Sequence, residues 1–421
     1  MSSLPLSPRE RSDPPQRSAP LLPLRPRELI AIAPRQPVIQ EYEEPPLGPA
    51  QIRIKTEFAS PKHGTELVGY RNDPVANRPY DFAWGANIPR GGGEAGEGAR
   101  GMRSSVSSPP LSEATPPSPP LPPPGFPRPL GNMAVGTVAE VGPEVTRFAV
   151  GDRIFGHFPI CETQTVDETG ADPLPDGLSP EAAVCLDPLV MALAMRDAGI
   201  KLGDRVAIFG LGAIGLFAVQ LAKAAGADWV VAIDPLENRR ALAVQFGADA
   251  VIDPLAGDGD VGMEIRRLTG PTPDPTRRAQ TRVTGGYLER PTQTGHLGVD
   301  VAVETSGSVP ALHQAIRATR FGGTICMISF YGKDATGLYL GDEFHVNRLT
   351  LVSARAETLP GRDAPVWDLK RLVDLALSWL VNGRMRTEGI VTPIVDFADS
   401  AEAYRAIDER PQESIKLGIR F

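Results

Sequence analysis

The run GLGAIG places three glycines, Gly210, Gly212 and Gly215, in a spacing that can bind a pyrophosphate. Gly210 allows a tight turn, Gly212 lets the backbone approach the phosphates, and Gly215 lets a following helix pack closely on the preceding strand. The N–H groups at the start of that helix then face the phosphate charge. The buried apolar run RVAIFG precedes the glycines, and a second run, WVVAID, ends in Asp234. This strand–helix–strand unit with a terminal acid predicts a dinucleotide site.

The expected cofactor contacts are the residues of the glycine loop and the helix start, together with polar residues at strand ends. They are Gly210, Leu211, Gly212, Ala213, Ile214, Gly215, Asp234, Arg239, Thr305, Ser306 and Ser329. A carboxylate at Asp234 would accept hydrogen bonds from ribose hydroxyls and repel a 2′-phosphate, which favours NAD(H) over NADP(H). Arg239 is expected over the adenine or at the ribose, or else as a solvated helix residue. Thr305, Ser306 and Ser329 end strands where such sheets bind ligands, although ordinary strand-end turns use the same residue types.

The elements that must position these residues follow two patterns. From residue 204 onward, buried apolar runs such as VDVAVETSG and GGTICMISF alternate with helical segments, which predicts a doubly wound parallel sheet. Before it, AQIRIKTEFAS, VGTVAEVG and GDRIFGHF are short strand-like stretches separated by glycine turns, which predict a small β-barrel. The expected fold class is therefore α/β, with a barrel domain and a doubly wound domain.

Three stretches have a biased composition. Residues 1–26 are rich in Pro, Arg and Ser, which predicts a disordered tail. Residues 91–129 begin with GGGEAGEGARG and pass into repeated prolines, and residues 269–297 are a milder case. Patterned sequence resumes after both, so we interpret them as loop insertions. The polyproline run could alternatively be a ligand for an SH3-type domain.

The totals limit the class of protein. The chain has 421 residues, 41% hydrophobic and 22% charged, which is ordinary for a globular protein with a core. The net charge of −8 argues against a nucleic-acid partner, and no apolar run approaches the roughly 20 residues of a membrane helix. The three cysteines form no CxxC pair, and the N-terminus does not have the pattern of a secretory signal. We therefore expect a cytoplasmic protein with a small-molecule substrate and neither a membrane nor a nucleic-acid partner.

The chain resembles the medium-chain dehydrogenase/reductase superfamily, and most closely its sorbitol- and threonine-dehydrogenase-like members. The resemblance is carried by HGTELVGYR, GNMAVGTVAEVGPEVTRFAVGDRIFG, CLDPLVMALAMRDAGIKLGDRVAIFGLGAIGLFAVQLAKAAGA, VETSGSVPALHQAIRATRFGGTICMIS and EFHVNRLTLVSARAE. It implies a GroES-like catalytic domain over 27–186, a Rossmann domain over 187–344, and a segment over 345–421 that completes the catalytic domain. Members transfer hydride between NAD(P) and an alcohol, aldehyde, ketone, quinone or activated alkene. A homodimer follows from the resemblance alone.

The chain departs from the zinc-dependent members at the metal ligands. His63 stands at the family's cysteine position, Asn132 and Met133 at its histidine–glutamate pair, and Asp187 at its acidic position. An amide is a poor zinc ligand and a thioether is soft and neutral, whereas a catalytic zinc normally has three good protein ligands. We therefore expect no metal site. The four-cysteine structural zinc lobe of many relatives is also missing from the sequence.

The resemblance also indicates which side chains carry the chemistry. Thr65 matches the family's hydroxyl residue that contacts the substrate oxygen, so it is expected to orient the substrate or relay a proton. The family's downstream relay histidine falls near Val68, so the relay is altered. His63 is the candidate acid or base, or else a cavity-lining histidine bonded to the backbone. Lys62 and Tyr70 are further candidates for electrostatic or proton-donating partners.

Three functions are therefore compared. The first is a zinc-independent, NAD(H)-linked oxidoreductase acting on a small alcohol, carbonyl or conjugated carbonyl, and metal-free members of the family often act on the last of these with NADPH. The second is a zinc-dependent polyol or amino-alcohol dehydrogenase with an atypical site at His63 and Asp187. The third is a non-catalytic nucleotide-binding sensor or structural protein that makes no use of Thr65 or His63.

Overall fold

A computed structural model describes residues 21–23, 25–73, 80–81, 86–87, 125–270, 283–284, 287–288, 297–332, 334–357 and 362–421. The predicted tail over 1–26 and the predicted insertions over 91–129 and 269–297 fall largely outside these ranges, as does the polyproline run, so those predictions stay predictions. Within the described residues, no helix is long and apolar enough to span a bilayer.

The N-terminal part of the chain is mostly strand. In chain order its elements are β1 Arg27–Ala33, β2 Gln36–Glu41, β3 Gln51–Ser60, α1 His63–Tyr70, β4 Tyr80–Asp81, β5 Ala86–Asn87, β6 Arg128–Pro129, β7 Met133–Val141, β8 Arg153–Gly156, β9 Thr163–Asp167, the 3₁₀ turn Glu168–Gly170, and β10 Asp172–Pro173.

The middle of the chain alternates helices and strands. Its elements are α2 Pro180–Ala183, α3 Leu186–Leu193, the 3₁₀ turn Ala194–Ala198, β11 Arg205–Phe209, α4 Ala213–Ala224, β12 Trp229–Ile233, α5 Glu237–Gln245, β13 Ala250–Ile252, α6 Val261–Leu268, β14 Val283–Thr284, β15 Tyr287–Leu288, β16 Val299–Glu304, α7 Val309–Ala318, β17 Thr319–Met327, α8 Glu343–Val346 and β18 Thr350–Ser353.

The last part returns to the barrel. Its elements are α9 Leu369–Val381, β19 Val391–Asp396, the 3₁₀ turn Phe397–Asp399, α10 Ser400–Glu409, the 3₁₀ turn Pro411–Glu413 and β20 Lys416–Arg420.

The barrel domain is built around β3. This strand pairs with β7, β9 and β20, and the seven-stranded sheet has the order β10-β8-β7-β3-β20-β19 with β9 also on β3. Ile52 and Ile54 of β3 are fully buried while the residues between them are partly exposed, as expected for a half-buried strand. A second sheet has the order β2-β1-β6. The C-terminal strand β20 therefore completes a domain that begins with β1.

The sheet of the second domain is parallel and regular. Six parallel strands have the order β13-β12-β11-β16-β17-β18, and their central residues are buried on both faces. The chain order reverses between β11 and β16, so a crevice for ligands lies outside the carboxyl ends of these two strands. β18 belongs to this sheet, so the sheet continues past residue 344, where the sequence placed the domain boundary.

Side-chain caps define where several helices begin. Ser179, Asp260, Ser308 and Asp368 precede α2, α6, α7 and α9, and each side chain accepts a backbone N–H of the first turn. The helix α4 has no such cap, because Gly212 stands at its N-cap. Its first N–H groups are thus left for another partner at the edge of the crevice.

Candidate active site

The glycine loop joins β11 to α4 in the geometry that its spacing predicts. Gly210 has φ +89°, and Gly215 packs so closely that a Cβ there would lie 1.8 Å from the Gly210 carbonyl oxygen. Nothing lies within 4 Å of where a Cβ on Gly212 would be. Two glycines therefore shape the loop, and the third keeps open the space at the helix start.

The predicted contacts along this loop lie at the carboxyl edge of the sheet. The side chain of Leu211 is buried, whereas Ala213 and Ile214 are partly exposed in the first turn of α4. The Thr305 hydroxyl donates to the carbonyl of Gly210 at 2.7 Å and contacts that of Phe209 at 3.1 Å. Thr305, which directly follows β16, thus links the glycine loop to that strand by hydrogen bonds.

Ser306 and Ser329 come to the same edge, around a buried carboxylate that the sequence analysis missed. Glu304 ends β16 with no exposed surface and accepts the Ser306 N–H at 2.8 Å and the Gly307 N–H at 3.2 Å. Its side chain also bonds the hydroxyls of Ser306 and Tyr331. Burial, together with this carboxylate, raises the pKa of Tyr331 above its usual value. The Ser329 hydroxyl is 3.5 Å from the Glu304 backbone carbonyl.

Asp234 ends β12 beside the glycine loop. Its side chain is only 4% exposed, with Oδ2 accepting the Leu211 N–H at 2.8 Å and Oδ1 accepting the Leu236 N–H at 2.9 Å. Each carboxylate oxygen has a second acceptor position, so these two bonds do not exhaust the group. The acid is therefore held at the loop with acceptor capacity remaining.

Arg239 lies beside Asp234, the residue predicted at the ribose, and is bonded to the C-terminal segment of the chain. Its guanidinium donates to the carbonyls of Pro411 at 2.9 Å and Ser414 at 2.6 Å, and lies 3.7 Å from Asp234. With only 17% of the side chain exposed, it is not a solvated helix residue, whereas its predicted place at the adenine or the ribose stays a prediction. The sequence could not predict this contact, because residues 411–414 are far away along the chain.

His63 begins α1 and is bonded to the backbone of β20. Its Nε2 accepts the Leu417 N–H at 2.9 Å, so the imidazole is neutral and its proton lies on Nδ1. Burial, with smaller contributions from the positive charges of Lys416 and Arg239, lowers the pKa of His63 to about 3. This bond corresponds to the second alternative predicted for His63, a histidine bonded to the backbone. At neutral pH neither ring nitrogen has a free lone pair.

Thr65 and Tyr70 of α1 differ in burial. Thr65 is exposed in the first turn. Tyr70 is fully buried, its ring packs edge-on against Tyr404 with centroids 5.0 Å apart, and its hydroxyl has no hydrogen-bond partner among the described residues. Of the two, only Thr65 is accessible from outside the protein.

A second missed carboxylate fixes the start of α1. Glu66 accepts the backbone N–H of Lys62 at 2.8 Å and of Gly131 at 2.7 Å, and the Tyr404 hydroxyl at 2.7 Å. Burial raises the pKa of Glu66 in spite of these donors. Nearby, the buried Lys416 ammonium donates to the Pro61 carbonyl at 3.0 Å, and burial lowers the pKa of Lys416. These groups hold the segment that presents Lys62, His63 and Thr65.

Lys62 and Asp187 form the ion pair nearest to the predicted metal-ligand positions. Lys62 Nζ is 3.0 Å from Asp187 Oδ1 and 3.5 Å from Glu357 Oε1. The Asp187 side chain is 4% exposed and that of Lys62 20%. Asp187 belongs to the first turn of α3, where a negative charge is favourable.

The other two ligand positions do not provide strong donors either. Met133 is buried in the main apolar core, and the Asn132 side-chain Nδ2 is buried without a hydrogen-bond partner in the described structure. Across the residues that the structure describes, no three His, Cys, Asp or Glu side chains come together as a metal site would require. The donor set at these positions does not fit a catalytic zinc.

Comparison with known proteins identifies the class. Residues 114–183 match the alcohol dehydrogenase GroES-like domain, and residues 213–368 match the family described as zinc-binding dehydrogenase. The chain belongs to the medium-chain dehydrogenase/reductase superfamily and is an oxidoreductase of the alcohol dehydrogenase type, as the sequence predicted. The match to the zinc-binding family covers the Rossmann part and includes none of His63, Asn132 and Asp187.

Two relatives and one solved structure illustrate the similarity. The chain is 35% identical over 401 residues to D-guloside 3-dehydrogenase of Escherichia coli K12, covering 94% of this chain and 100% of that protein. It is 27% identical over 322 residues to (R,R)-butanediol dehydrogenase of Bacillus subtilis, covering 70% of this chain and 81% of that one. The crystal structure of 2R,3R-butanediol dehydrogenase from Bacillus subtilis has the same fold, with a TM-score of 0.63 and 22% identity over 94% of this chain and 99% of that chain.

Proposed function

We propose that this oxidoreductase is NAD(H)-linked, works without a catalytic zinc, and interconverts a secondary alcohol and a ketone on a polyhydroxylated substrate. The observation that carries the cofactor assignment is the Asp234 carboxylate, fixed at the end of β12 by the Leu211 and Leu236 N–H groups. A fixed negative charge at this point attracts ribose hydroxyls and repels a 2′-phosphate.

The arginines near Asp234 do not offset this preference. Arg239 is committed to the carbonyls of Pro411 and Ser414. Arg240 donates to the Asp234 backbone carbonyl at 2.7 Å and is 3.3 Å from the Asp253 carboxylate. A cation that is already bonded in this way contributes little to binding a phosphate, so NAD(H) is favoured over NADP(H).

Metal independence is inferred from the donor set. His63 uses Nε2 to accept the Leu417 N–H, Asp187 is paired with Lys62, and Asn132 is an amide. A catalytic zinc needs about three good ligands and an open position, and these residues offer one carboxylate that is already paired.

The substrate class is inferred from the names of the relatives. A guloside and a butanediol both carry a secondary hydroxyl next to another oxygen-bearing carbon, and the enzymes named for them are dehydrogenases. We extend this class to the chain: the carbon that bears the hydroxyl gives up a hydride and the oxygen gives up a proton. The nicotinamide, when bound, takes up the hydride. Thr65 is expected to hold the substrate oxygen through its hydroxyl.

The test combines cofactor titration with metal analysis on one sample. We expect saturable NADH binding that is tighter than NADPH binding, less than one zinc per ten chains, and NAD-dependent oxidation of glycosides or polyols that persists after chelation. Tighter NADPH binding would contradict the cofactor assignment. One zinc per chain, with activity lost on chelation and restored by zinc, would show a metal enzyme instead.

Substitution of Asp234 tests the cofactor assignment directly. Asp234→Asn keeps an acceptor for one backbone N–H and removes the charge, so the ratio of NADPH to NADH affinity should rise about tenfold, or roughly 1.4 kcal/mol. Asp167→Asn is the matched control, because Asp167 also ends a strand and accepts the N–H two residues on, at 2.9 Å, but belongs to the barrel. That variant should keep the wild-type ratio, and an unchanged ratio in Asp234→Asn would contradict the role of Asp234.

A further inference from the structure

Lys62 is a basic group that joins the barrel to two carboxylates near the nucleotide-binding sheet. It stands at the N-cap of α1, two residues after the strand β3. Its Nζ contacts Asp187 at 3.0 Å and Glu357 at 3.5 Å. With 20% of its side chain exposed, it is neither enclosed in the core nor free in solvent.

The partners of Lys62 locate it relative to the cofactor edge. Glu357 follows β18, whose carboxyl end lies on the same edge of the parallel sheet as the glycine loop. Asp187 lies in the first turn of α3, which packs against α4, the helix that starts at the glycine loop. The ammonium is therefore on the barrel side of the crevice, facing the edge where the cofactor is expected.

Four further basic groups lie near this point. Arg355 shares the Glu357 carboxylate, at 3.3 Å, and its side chain is 70% exposed to solvent. Lys416 is 4% exposed and donates to the Pro61 carbonyl, and Arg239 donates to Pro411 and Ser414. His63 accepts a backbone N–H and is neutral. The Lys62 and Arg239 side chains are similarly exposed, at 20% and 17%, but, apart from the solvent-exposed Arg355, Lys62 alone among these described groups is bonded to carboxylates and to no main-chain group.

We propose that the Lys62 ammonium takes the place of the family's catalytic metal, with Asp187 holding it in position. A developing negative charge on the substrate oxygen needs a donor aimed at it, and a charge-assisted N–H supplies one in a partly desolvated site. Three protons on Nζ allow bonds to Asp187, to Glu357 and to the substrate oxygen together. This inference rests on the proposed hydride-transfer function and deepens it.

In the proposed reaction, Lys62 itself undergoes no chemical change. In alcohol oxidation, the C–H bond breaks with its electron pair leaving as hydride to the nicotinamide, and the O–H proton leaves through the Thr65 hydroxyl to solvent. The carbon–oxygen bond becomes a carbonyl as the alcohol is oxidised and NAD⁺ is reduced to NADH. Lys62 stays protonated throughout and stabilises the oxygen while it carries charge.

The test compares three variants with a matched control. Lys62→Met removes the charge and keeps much of the chain length, and Lys62→Ala leaves room for an added amine. Lys62→Met/Asp187→Asn removes both partners, so that no unpaired buried carboxylate can cause misfolding. Lys223→Met is the control, because Lys223 is paired with Asp249 at 2.7 Å on the other end of α4.

We expect kcat to fall by at least about 100-fold in Lys62→Met and in the double variant, the loss typical of removing one such donor. NADH affinity should change less than about threefold, and Lys223→Met should match the wild type. Methylammonium or ethylammonium should restore kcat of Lys62→Ala in a saturable way, while tetramethylammonium at equal ionic strength should not, because it has no N–H. A merely structural ion pair would not show this rescue.

The outcomes separate this inference from the proposed function. If the wild type oxidises its substrate and the Lys62 variants keep kcat within threefold, the role of Lys62 is wrong and the proposed function stands. If kcat falls but no primary alkylammonium restores it, the role of Lys62 at the substrate oxygen is overturned, because Lys62 then acts through the structure. If the wild type oxidises no alcohol with either cofactor, or requires zinc, the proposed function fails first.

Discussion

His63 shows how a side chain can be held in one protonation state by its surroundings. The native pKa of about 3 lies below the ordinary value of about 6.5, because burial and two nearby cations disfavour the imidazolium. Between these two values the unfolded chain takes up a proton that the native state does not. Acidification therefore favours unfolding, and this contribution to stability is lost as the pH falls below about 6.5.

A glutamine at position 63 should remove that pH dependence. Its side-chain oxygen can accept the Leu417 N–H, but it has no proton to take up. Between pH 7 and pH 5 the free energy of unfolding should decrease by about 2 kcal/mol more in the wild type than in His63→Gln, as measured by urea denaturation. His157→Gln replaces an exposed histidine and should keep the wild-type slope. Equal slopes in all three proteins would show that His63 titrates normally.

Two glycines of the glycine loop have different roles: Gly215 is needed for the fold, and Gly212 leaves space for the cofactor. An added Cβ at Gly215 would meet the Gly210 carbonyl oxygen at 1.8 Å, whereas one at Gly212 would meet nothing within 4 Å. Gly212 has φ −68° and ψ −174°, a conformation that alanine adopts easily. The two positions therefore predict opposite phenotypes for the same substitution.

Gly215→Ala should lower the free energy of unfolding by about 1–3 kcal/mol, because backbone atoms must move to make room. Gly212→Ala should unfold like the wild type, within about 0.5 kcal/mol, yet bind NADH at least about tenfold more weakly, because its methyl group occupies the space for the pyrophosphate. Chemical denaturation and fluorescence titration measure the two effects. Full NADH affinity in Gly212→Ala would mean that the cofactor lies elsewhere.

The sequence predicts these elements well where the determining contacts are local. The strand, glycine loop, helix and acid from residue 205 to Asp234 follow from hydrophobic period and glycine spacing within one unit. Glu66 and Glu304 were not predicted as site residues. Glu66 bonds Gly131 and Tyr404, which are far along the chain, and Glu304 stands in an apolar run that indicates only a buried strand. Their roles depend on which loops meet after folding, and no local pattern shows that.

Contacts between distant segments also explain why the sequence did not predict the end of the Rossmann domain or the partners of Arg239. The sequence places the end of the Rossmann domain at 344, but β18 over Thr350–Ser353 still pairs with β17. A four-residue edge strand has too little periodicity to be distinguished from the segment that follows. Arg239 is a helix residue in the sequence pattern, and its actual partners belong to the C-terminal segment that returns to the barrel.

The contact of Arg239 with that segment joins the two domains. The guanidinium on α5 donates to the carbonyls of Pro411 and Ser414 just before β20, and Gln220 of α4 makes a second link by bonding the backbone of Arg386 at 3.0 Å and 2.8 Å. Both links connect nucleotide-binding helices to the chain that closes the barrel. Hydrogen bonds therefore join the two domains on this side of the crevice.

Arg239→Met should weaken this junction without touching either core. Two carbonyls would lose a charged donor, and since hydrogen bonds to charged groups contribute about 1.5–3 kcal/mol each, the free energy of unfolding should fall by about 3–6 kcal/mol. Arg405→Met is the control: its pair with Glu402 is exposed, with side chains 41% and 61% accessible, and should contribute less than about 1 kcal/mol. Hydrogen exchange should also become faster in residues 411–416 of Arg239→Met and remain unchanged in Arg405→Met. Wild-type stability and exchange in Arg239→Met would mean that the junction is held by packing alone, with the arginine only lying across it.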